Sequence, residues 1–378
     1  MYVGINLLYL IPGIVGGTET YAKELIKSML KQIDKSDKII IFCSRESENI
    51  FVESSGLKIV TLPFYSSNRI SRIFAEQVLL PIYCAIHKIN ILLSLGYSQP
   101  LLVPCRSIVT IHDLNWYYHP EDFTKLALFF WKYLTILSAH RSNAIIAISE
   151  STKNSLISVL KIQQSKIKVI YHGMSEPTLN SNPGSSTVER KYALPKKYIL
   201  TLLSHYSHKN LQTAVQAFIQ VQSKTKDLHL VIGGTGTDEA RVERQKYLSY
   251  LGNKNIHLLP FVEASDLATI YQNASIFVFP SAYEGFGLPV LEAMSHDVPV
   301  ISSNAYSLTE VVGDGGILVN PYNVEEYVSS IDSILRNASL RKKYVLAGRK
   351  QVHKFRWEKC ATETLNLIQK LYNDSIYE

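Results

Sequence analysis

Cysteine, tryptophan and methionine are scarce in this 378-residue chain. The four cysteines, Cys43, Cys84, Cys105 and Cys360, are scattered, with no Cys-x-x-Cys spacing. That excludes a zinc ribbon or a disulfide framework as the organising device and fits a reduced, intracellular setting. No His/Cys cluster has zinc-ligand spacing, and no Asp-x-Asp pair stands out as a magnesium site, so no metal and no cofactor are expected. No uninterrupted apolar run reaches ~18 residues, so no spanning helix is expected. The opening residues are apolar but lack a basic segment and a small-residue cleavage site; they read as a first strand and not a signal peptide. A Gly-x-Gly-x-x-Gly fingerprint is missing from the first strand–helix turn. No short-period repeat is present. Charge is also sparse, with 19% charged residues and a net charge of +7. A nucleic-acid reading would need that excess concentrated in one patch. The mild excess suits anionic sugar nucleotides or an anionic membrane face.

What remains is apolar and periodic. Hydrophobic residues make up 46% of a length that exceeds one ordinary core, which points to two domains. Short apolar runs alternate with helical patterns along the whole chain. Strands are expected at 2–9, 38–43, 57–62, 89–94, 107–111, 144–148 and 166–171. After a polar stretch with Pro177, Pro183 and Gly184, they resume at 198–203, 229–232, 256–259, 276–279, 298–302 and 316–319. Helices are expected at 20–33, 70–86, 125–141, 211–222, 266–272, 324–335, 340–355 and 357–372. Two sets of βα units predict an α/β protein with two parallel-sheet domains across a cleft. The first covers 1–180, a linker 181–196, and the second 197–356.

In open parallel sheets, ligands bind at the C-terminal ends of strands. Five features fall there: Gly16-Gly17, His112, 204–209, Gly233–Gly236 and Pro280–Gly287. The densest is Ile276–Asp297. It reads as a strand, a glycine-punctuated loop Glu284-Gly285-Phe286-Gly287, and a helix opened by Pro289 with Glu292 in its first turn. Glycines let backbone amides approach a ligand, a helix N-terminus suits a phosphate, and carboxylates accept bonds from vicinal hydroxyls. A sugar, a diphosphate and a ribose would use these parts in that order. Lys209 is a natural phosphate partner. Asp113 is placed to orient His112. The helices at 70–86 and 125–141 mix apolar, aromatic and basic residues. Each reads as core-facing or as a surface for a membrane interface.

The stretch Pro280–Met294 resembles the Glu-x7-Glu signature of retaining family 4 glycosyltransferases. The likeness extends through Gly16-Gly17-Thr18-Glu19, Thr110–Asp113, Ala147–Thr152, His208-Lys209-Asn210 and Asn304–Pro321. It implies the GT-B fold of two Rossmann-like domains, with the helix from Trp357 crossing back to the first. It also implies roles. Glu284 with the amides of Gly285, Phe286 and Gly287 would hold the donor sugar, and His112 would stand by the reacting sugar and acceptor. Lys209, Gly16, Gly17 and Leu288 would bind the diphosphate. Glu292 would bind the ribose, and Gly234 and Val262 would lie near the base. The implied activity is retaining, metal-independent hexosyl transfer to a glycan or lipid-linked acceptor in cell-surface polysaccharide synthesis. The expected donor is UDP-glucose, with GDP-mannose as the alternative. The expected location is cytoplasmic, extending to the inner face of the membrane.

One departure stands out. The family's phosphate loop usually carries an Arg, and 204–209 has none; His205 or His208 is the candidate substitute. Three competing readings are an NAD-dependent oxidoreductase built on Gly233–Gly236, a non-catalytic sugar-nucleotide-binding protein, and an epimerase or phosphorylase on a similar fold. The absent fingerprint opposes the first, the intact Glu284, Glu292 and Lys209 oppose the second, and the signature's flanks oppose the third.

Overall fold

The computed structural model describes residues 1–14, 16–175, 186–204, 206–234, 242, 245, 248–249 and 252–376. The chain divides into two units: Met1–Gly173 with Phe355–Glu378, and Met174–Lys354.

The first unit is built on seven parallel strands. They are β1 (Tyr2–Asn6), β2 (Lys38–Cys43), β3 (Leu57–Thr61), β4 (Ile91–Ser94), β5 (Arg106–Ile111), β6 (Ala144–Ala147) and β7 (Ile167–Val169). Their order across the sheet is 3-2-1-4-5-6-7. Strands covered on both faces need apolar residues at every position, and β2, KIIIFC, is buried from its second residue onward. The order reverses between β1 and β4, so the chain diverges there and leaves a crevice at their C-terminal ends.

The second unit has six parallel strands: β8 (Tyr198–Leu202), β9 (His229–Gly233), β10 (Ile256–Leu258), β11 (Ile276–Phe279), β12 (Val300–Ser303) and β13 (Ile317–Val319). Their order is 10-9-8-11-12-13, with the reversal between β8 and β11.

The last helix, Trp357–Ile376, belongs to the first unit. Its Trp357, Cys360, Ala361, Ile368 and Leu371 share one apolar cluster with Tyr21, Leu25 and Met29 of the helix Gly17–Leu30. The clasp depends on Gly173. A Cβ there would lie 2.1 Å from the backbone nitrogen of Trp357. Gly173→Ala must therefore push the helix off its seat. We expect a loss of about 2–4 kcal/mol, read as a lower melting temperature with earlier proteolysis of the final helix.

One local expectation is corrected, and one segment holds an element beyond its expected role. The helical stretch 70–86 is not one α-helix: a π turn, Ala75–Leu79, separates Arg69–Phe74 from Leu80–Ile86, and the Leu80 amide donates to the Ala75 carbonyl. Pro81 has no N–H to donate and its ring crowds the preceding turn, which a widened turn relieves. The expected linker 181–196 holds a helix, Ser186–Lys191; residues 181–185 lie outside the described residues. Polar composition masked its anchoring. Lys191 Nζ pairs with Asp266 at 2.7 Å and Glu263 at 2.9 Å, and Tyr192 donates to Asp266 at 2.9 Å. Among the described residues, no helix is long and apolar enough to cross a membrane.

Candidate active site

The second unit gathers most of the candidate residues at the β8/β11 reversal. The loop after β8 presents Lys209 and the loop after β11 presents Glu284. Lys209 Nζ lies 2.7 Å from Glu284 Oε1, with side chains only 16% and 12% exposed. Asn210 fixes the Lys209 loop. It adopts a left-handed conformation (φ 56°) at the head of the helix Leu211–Gln222, a region Asn tolerates. Its side-chain amide donates to the carbonyls of Pro280 and Pro321, tying the ends of β8, β11 and β13 together.

The Glu284 loop is held from beneath by serines. The Ser307 hydroxyl lies 2.8 Å from the Glu284 carbonyl and 3.0 Å from that of Phe286. Ser303 donates to the Ser281 carbonyl, and the Ala282 amide donates to the His208 carbonyl at 2.7 Å. Carbonyls are thus consumed by the scaffold. Among the described residues, the amides of Gly285, Gly287 and Leu288 donate to no protein acceptor. Gly287 is at φ 106°, and a Cβ there would lie 2.6 Å from Leu308 Cδ2, so no other residue fits the bend without displacement. The helix Leu288–Ser295 starts directly after it.

Glu292 is the fifth residue of that helix, in its second turn and not its first as expected. Gly287, not Pro289, ends the loop, so the helix begins one residue before the proline. The Glu292 carboxylate accepts from the Tyr271 hydroxyl at 2.7 Å. Burial raises its pKa above the ordinary carboxylate range, and the Tyr271 bond offsets part of that rise. Tyr271 in turn stacks on His296, centroids 5.4 Å apart.

Gly234 follows β9 at φ 138°, where a Cβ would lie 1.9 Å from the Leu203 carbonyl oxygen. Val262 is half-buried in the loop after β10, beside exposed Phe261. His208 is buried, its ring stacked on Tyr206 and edge-on to Tyr283. His205 and Thr235-Gly236 lie outside the described residues.

The first unit holds Gly16, Gly17 and His112 at the ends of β1, β4 and β5. Gly16 (φ 59°) precedes the helix Gly17–Leu30. Glu19 closes that loop, accepting from the Gly13 amide at 2.7 Å and from Lys23 Nζ at 2.5 Å. His112 is 4% exposed. Its Nε2 lies 2.8 Å from the Leu95 carbonyl. A carbonyl only accepts, so Nε2 carries the proton and Nδ1 is left as the acceptor of the neutral ring. Burial lowers the imidazole pKa, against the Leu95 bond and the Asp113 charge, which favours that neutral form.

Asp113 does not orient the ring as expected. Its oxygens accept from the Tyr97 hydroxyl and the Asn115 amide, both at 2.9 Å. The orienting group is the Leu95 carbonyl at the end of β4. Tyr21 packs edge-on against His112 and stacks on His172, centroids 5.2 and 4.5 Å apart. Ser303, Ser307, Tyr271 and Leu95 were not singled out from sequence. Only Ser307 carried a signal, lying within the Asn304–Pro321 segment.

Two α/β units with this sheet order define the GT-B class. The same fold is seen in sucrose-phosphate synthase from Thermosynechococcus elongatus, with a TM-score of 0.80, 18% identity, and 99% of this chain and 100% of that chain covered. Residues 187–351 match the model of the glycosyl transferases group 1, and residues 15–176 match that of Glycosyltransferase Family 4. O-antigen chain mannosyltransferase B of Escherichia coli is 30% identical over 277 residues, 70% of this chain and 71% of that protein. O-antigen chain mannosyltransferase RfbU of Salmonella typhimurium is 26% identical over 312 residues, 81% and 83% of the two chains. The chain belongs to the family 4 glycosyltransferases. Its substrates are accordingly a nucleotide-sugar donor and a glycan acceptor.

Proposed function

We propose that this enzyme transfers a mannosyl group from GDP-mannose, with retention and without a metal ion, to a glycan or lipid-linked acceptor in surface-polysaccharide synthesis. The observation that carries it is the Lys209–Glu284 pair beside the unengaged amides of Gly285, Gly287 and Leu288. One cation, one carboxylate and a helix N-terminus meet at the crevice where such sheets bind ligands. Glu284 and the loop amides take the donor hydroxyls. Lys209 and the Leu288 amide take the diphosphate, and Glu292 takes the ribose, with Gly234 and Val262 by the base. In the same reading the Gly16-Gly17 turn serves the diphosphate and His112 the reacting sugar. The acceptor oxygen bonds to the anomeric carbon as the bond to the diphosphate breaks, and the acceptor's proton passes to the leaving phosphate oxygen on the same face. The mannosyltransferase names of both relatives favour a mannosyl donor over UDP-glucose.

A thermal-shift panel of GDP, GDP-mannose, UDP, UDP-glucose, ADP and NADH tests this. GDP-mannose at a hundredfold excess over its Kd should stabilise the protein by about 2.7 kcal/mol. A shift with UDP-glucose alone would reassign the donor, and one with NADH alone would restore the oxidoreductase reading.

A further inference from the structure

We propose that Glu76 is a positioning residue: it holds the loop that follows β4, and through that loop it sets the tautomer of His112. Its bearing on the reaction rests on the placement of His112 beside the reacting sugar. Glu76 stands on the π turn Ala75–Leu79 and is 6% exposed. A buried carboxylate loses its hydration and has to be matched by donors. The donors here are neutral. Asn6 Nδ2 lies 2.9 Å from Oε1, and the Ser98 hydroxyl lies 3.0 and 2.8 Å from the two oxygens, with Gln77 Nε2 more distant at 3.5 Å. Burial raises the Glu76 pKa, against these bonds and the Arg72 charge.

Those donors lie at the β1/β4 reversal. Asn6 ends β1 and also donates to Ser94 at the end of β4, 3.2 Å away. Ser98 is three residues beyond Leu95, the residue whose carbonyl accepts from His112. Gln77, next on the π turn, donates to the Gln99 carbonyl and accepts from the Leu101 amide, both at 3.0 Å. Two adjacent side chains of one turn thus hold residues 98 to 101. Between Leu95 and Ser98 sits Tyr97, left-handed at φ 58°, a conformation a bulky residue rarely adopts. Such strain persists only where the surroundings over-determine it, and it clusters at functional sites, as π turns also do. The Tyr97 amide donates to the Thr110 carbonyl at 3.0 Å and its hydroxyl to Asp113 at 2.9 Å. Its ring lies 5.1 Å from that of His112.

What this loop delivers is one carbonyl. A neutral imidazole carries its proton on either nitrogen, and the bond to Leu95 selects Nε2 and leaves Nδ1 as the acceptor. Release of Ser98 from Glu76 removes a restraint from the strained Tyr97 turn. The Leu95 carbonyl then shifts, and the Nδ1–H tautomer gains population. Misplacement by about 1 Å from a change outside the reacting groups costs up to about 10²-fold in rate. Glu76 acts here through its bonds and not through its charge. Gln keeps an oxygen for Asn6 and an NH₂ group for the Ser98 oxygen, so it preserves the bonds while removing the charge.

Long-range proton–nitrogen correlation spectra of the full chain read the His112 tautomer, with its resonances assigned by their loss in His112→Gln. Wild type should show the Nε2–H form alone. Ser98→Ala and Glu76→Ala should each show a mixture of tautomers. Their kcat should fall about tenfold or more, while donor KM stays within about twofold of wild type. Ser98→Ala removes a single half-buried hydroxyl and keeps the test decisive where Glu76→Ala does not fold. Glu76→Gln should retain the Nε2–H form and most of the wild-type kcat. An unchanged tautomer in Ser98→Ala overturns the proposal, and so does a Glu76→Gln enzyme as impaired as Glu76→Ala. A mixed tautomer at full turnover would support the positioning and remove His112 from the reaction, so the two readings fail separately.

Discussion

Glu284→Ala should lower turnover about 10²–10³-fold, measured as nucleotide released from the donor. The loop that carries Glu284 is fixed by its backbone. Ser307 engages the carbonyls of residues 284 and 286, and Ser303 engages that of Ser281. Removing the carboxylate therefore leaves the loop in place and takes away only the group facing Lys209. A nucleotide thermal shift should survive, because Lys209, Glu292 and the helix N-terminus remain. The bare variant has a second consequence: Lys209 loses its partner in a site only 16% exposed, which destabilises the free protein. Lys209→Met added to Glu284→Ala should restore that stability while leaving turnover as low. A purely structural ion pair behaves differently, since relief of the orphaned charge would restore activity as well. Turnover above about a tenth of wild type in Glu284→Ala would sink the assignment.

Much of this architecture is legible because buried parallel strands have to be apolar throughout. Runs such as KIIIFC and IFVF stand out against the turns that flank them, and all thirteen strands fall where the runs predict. Sheet order then brings Lys209 and Glu284 together, though they are 75 residues apart. What could not be read is contact between elements. Nothing near Asp113 in sequence reveals that Leu95 holds the imidazole of His112, because that bond crosses from β5 to the end of β4. Tyr271 and Glu292 are 21 residues apart on different helices, so their bond has no periodic signature. The helix at 186–191 has polar anchors, and polarity reads as linker. The π turn is a response to Pro81 that hydrophobic spacing alone does not specify.

The position of Glu292 changes what its replacement should do. A carboxylate beside the first free amides would be stabilised by them; one in the second turn, half-buried, is stabilised by Tyr271 alone among the described residues. Burial dominates and its pKa is raised. A group whose folded pKa lies above its unfolded value favours the folded state most at low pH. That contribution is lost as pH rises through the folded pKa. Glu292→Gln removes the buried charge yet keeps an oxygen to accept from Tyr271. Without ligand it should be more stable than wild type at neutral pH, and the gain should vanish under acid conditions. Nucleotide affinity should move the other way. Ribose hydroxyls donate most strongly to the ionised form, so Gln should weaken binding about tenfold or more at neutral pH. Wild-type affinity should fall with acidification at a higher pH than an ordinary carboxylate would give, and the variant should lack that dependence. Calorimetric titration of nucleotide across pH, with melting curves of the free proteins, separates these outcomes. Equal affinity in wild type and variant would remove Glu292 from the nucleotide site. A less stable variant would mean that the Tyr271 bond outweighs desolvation of the carboxylate.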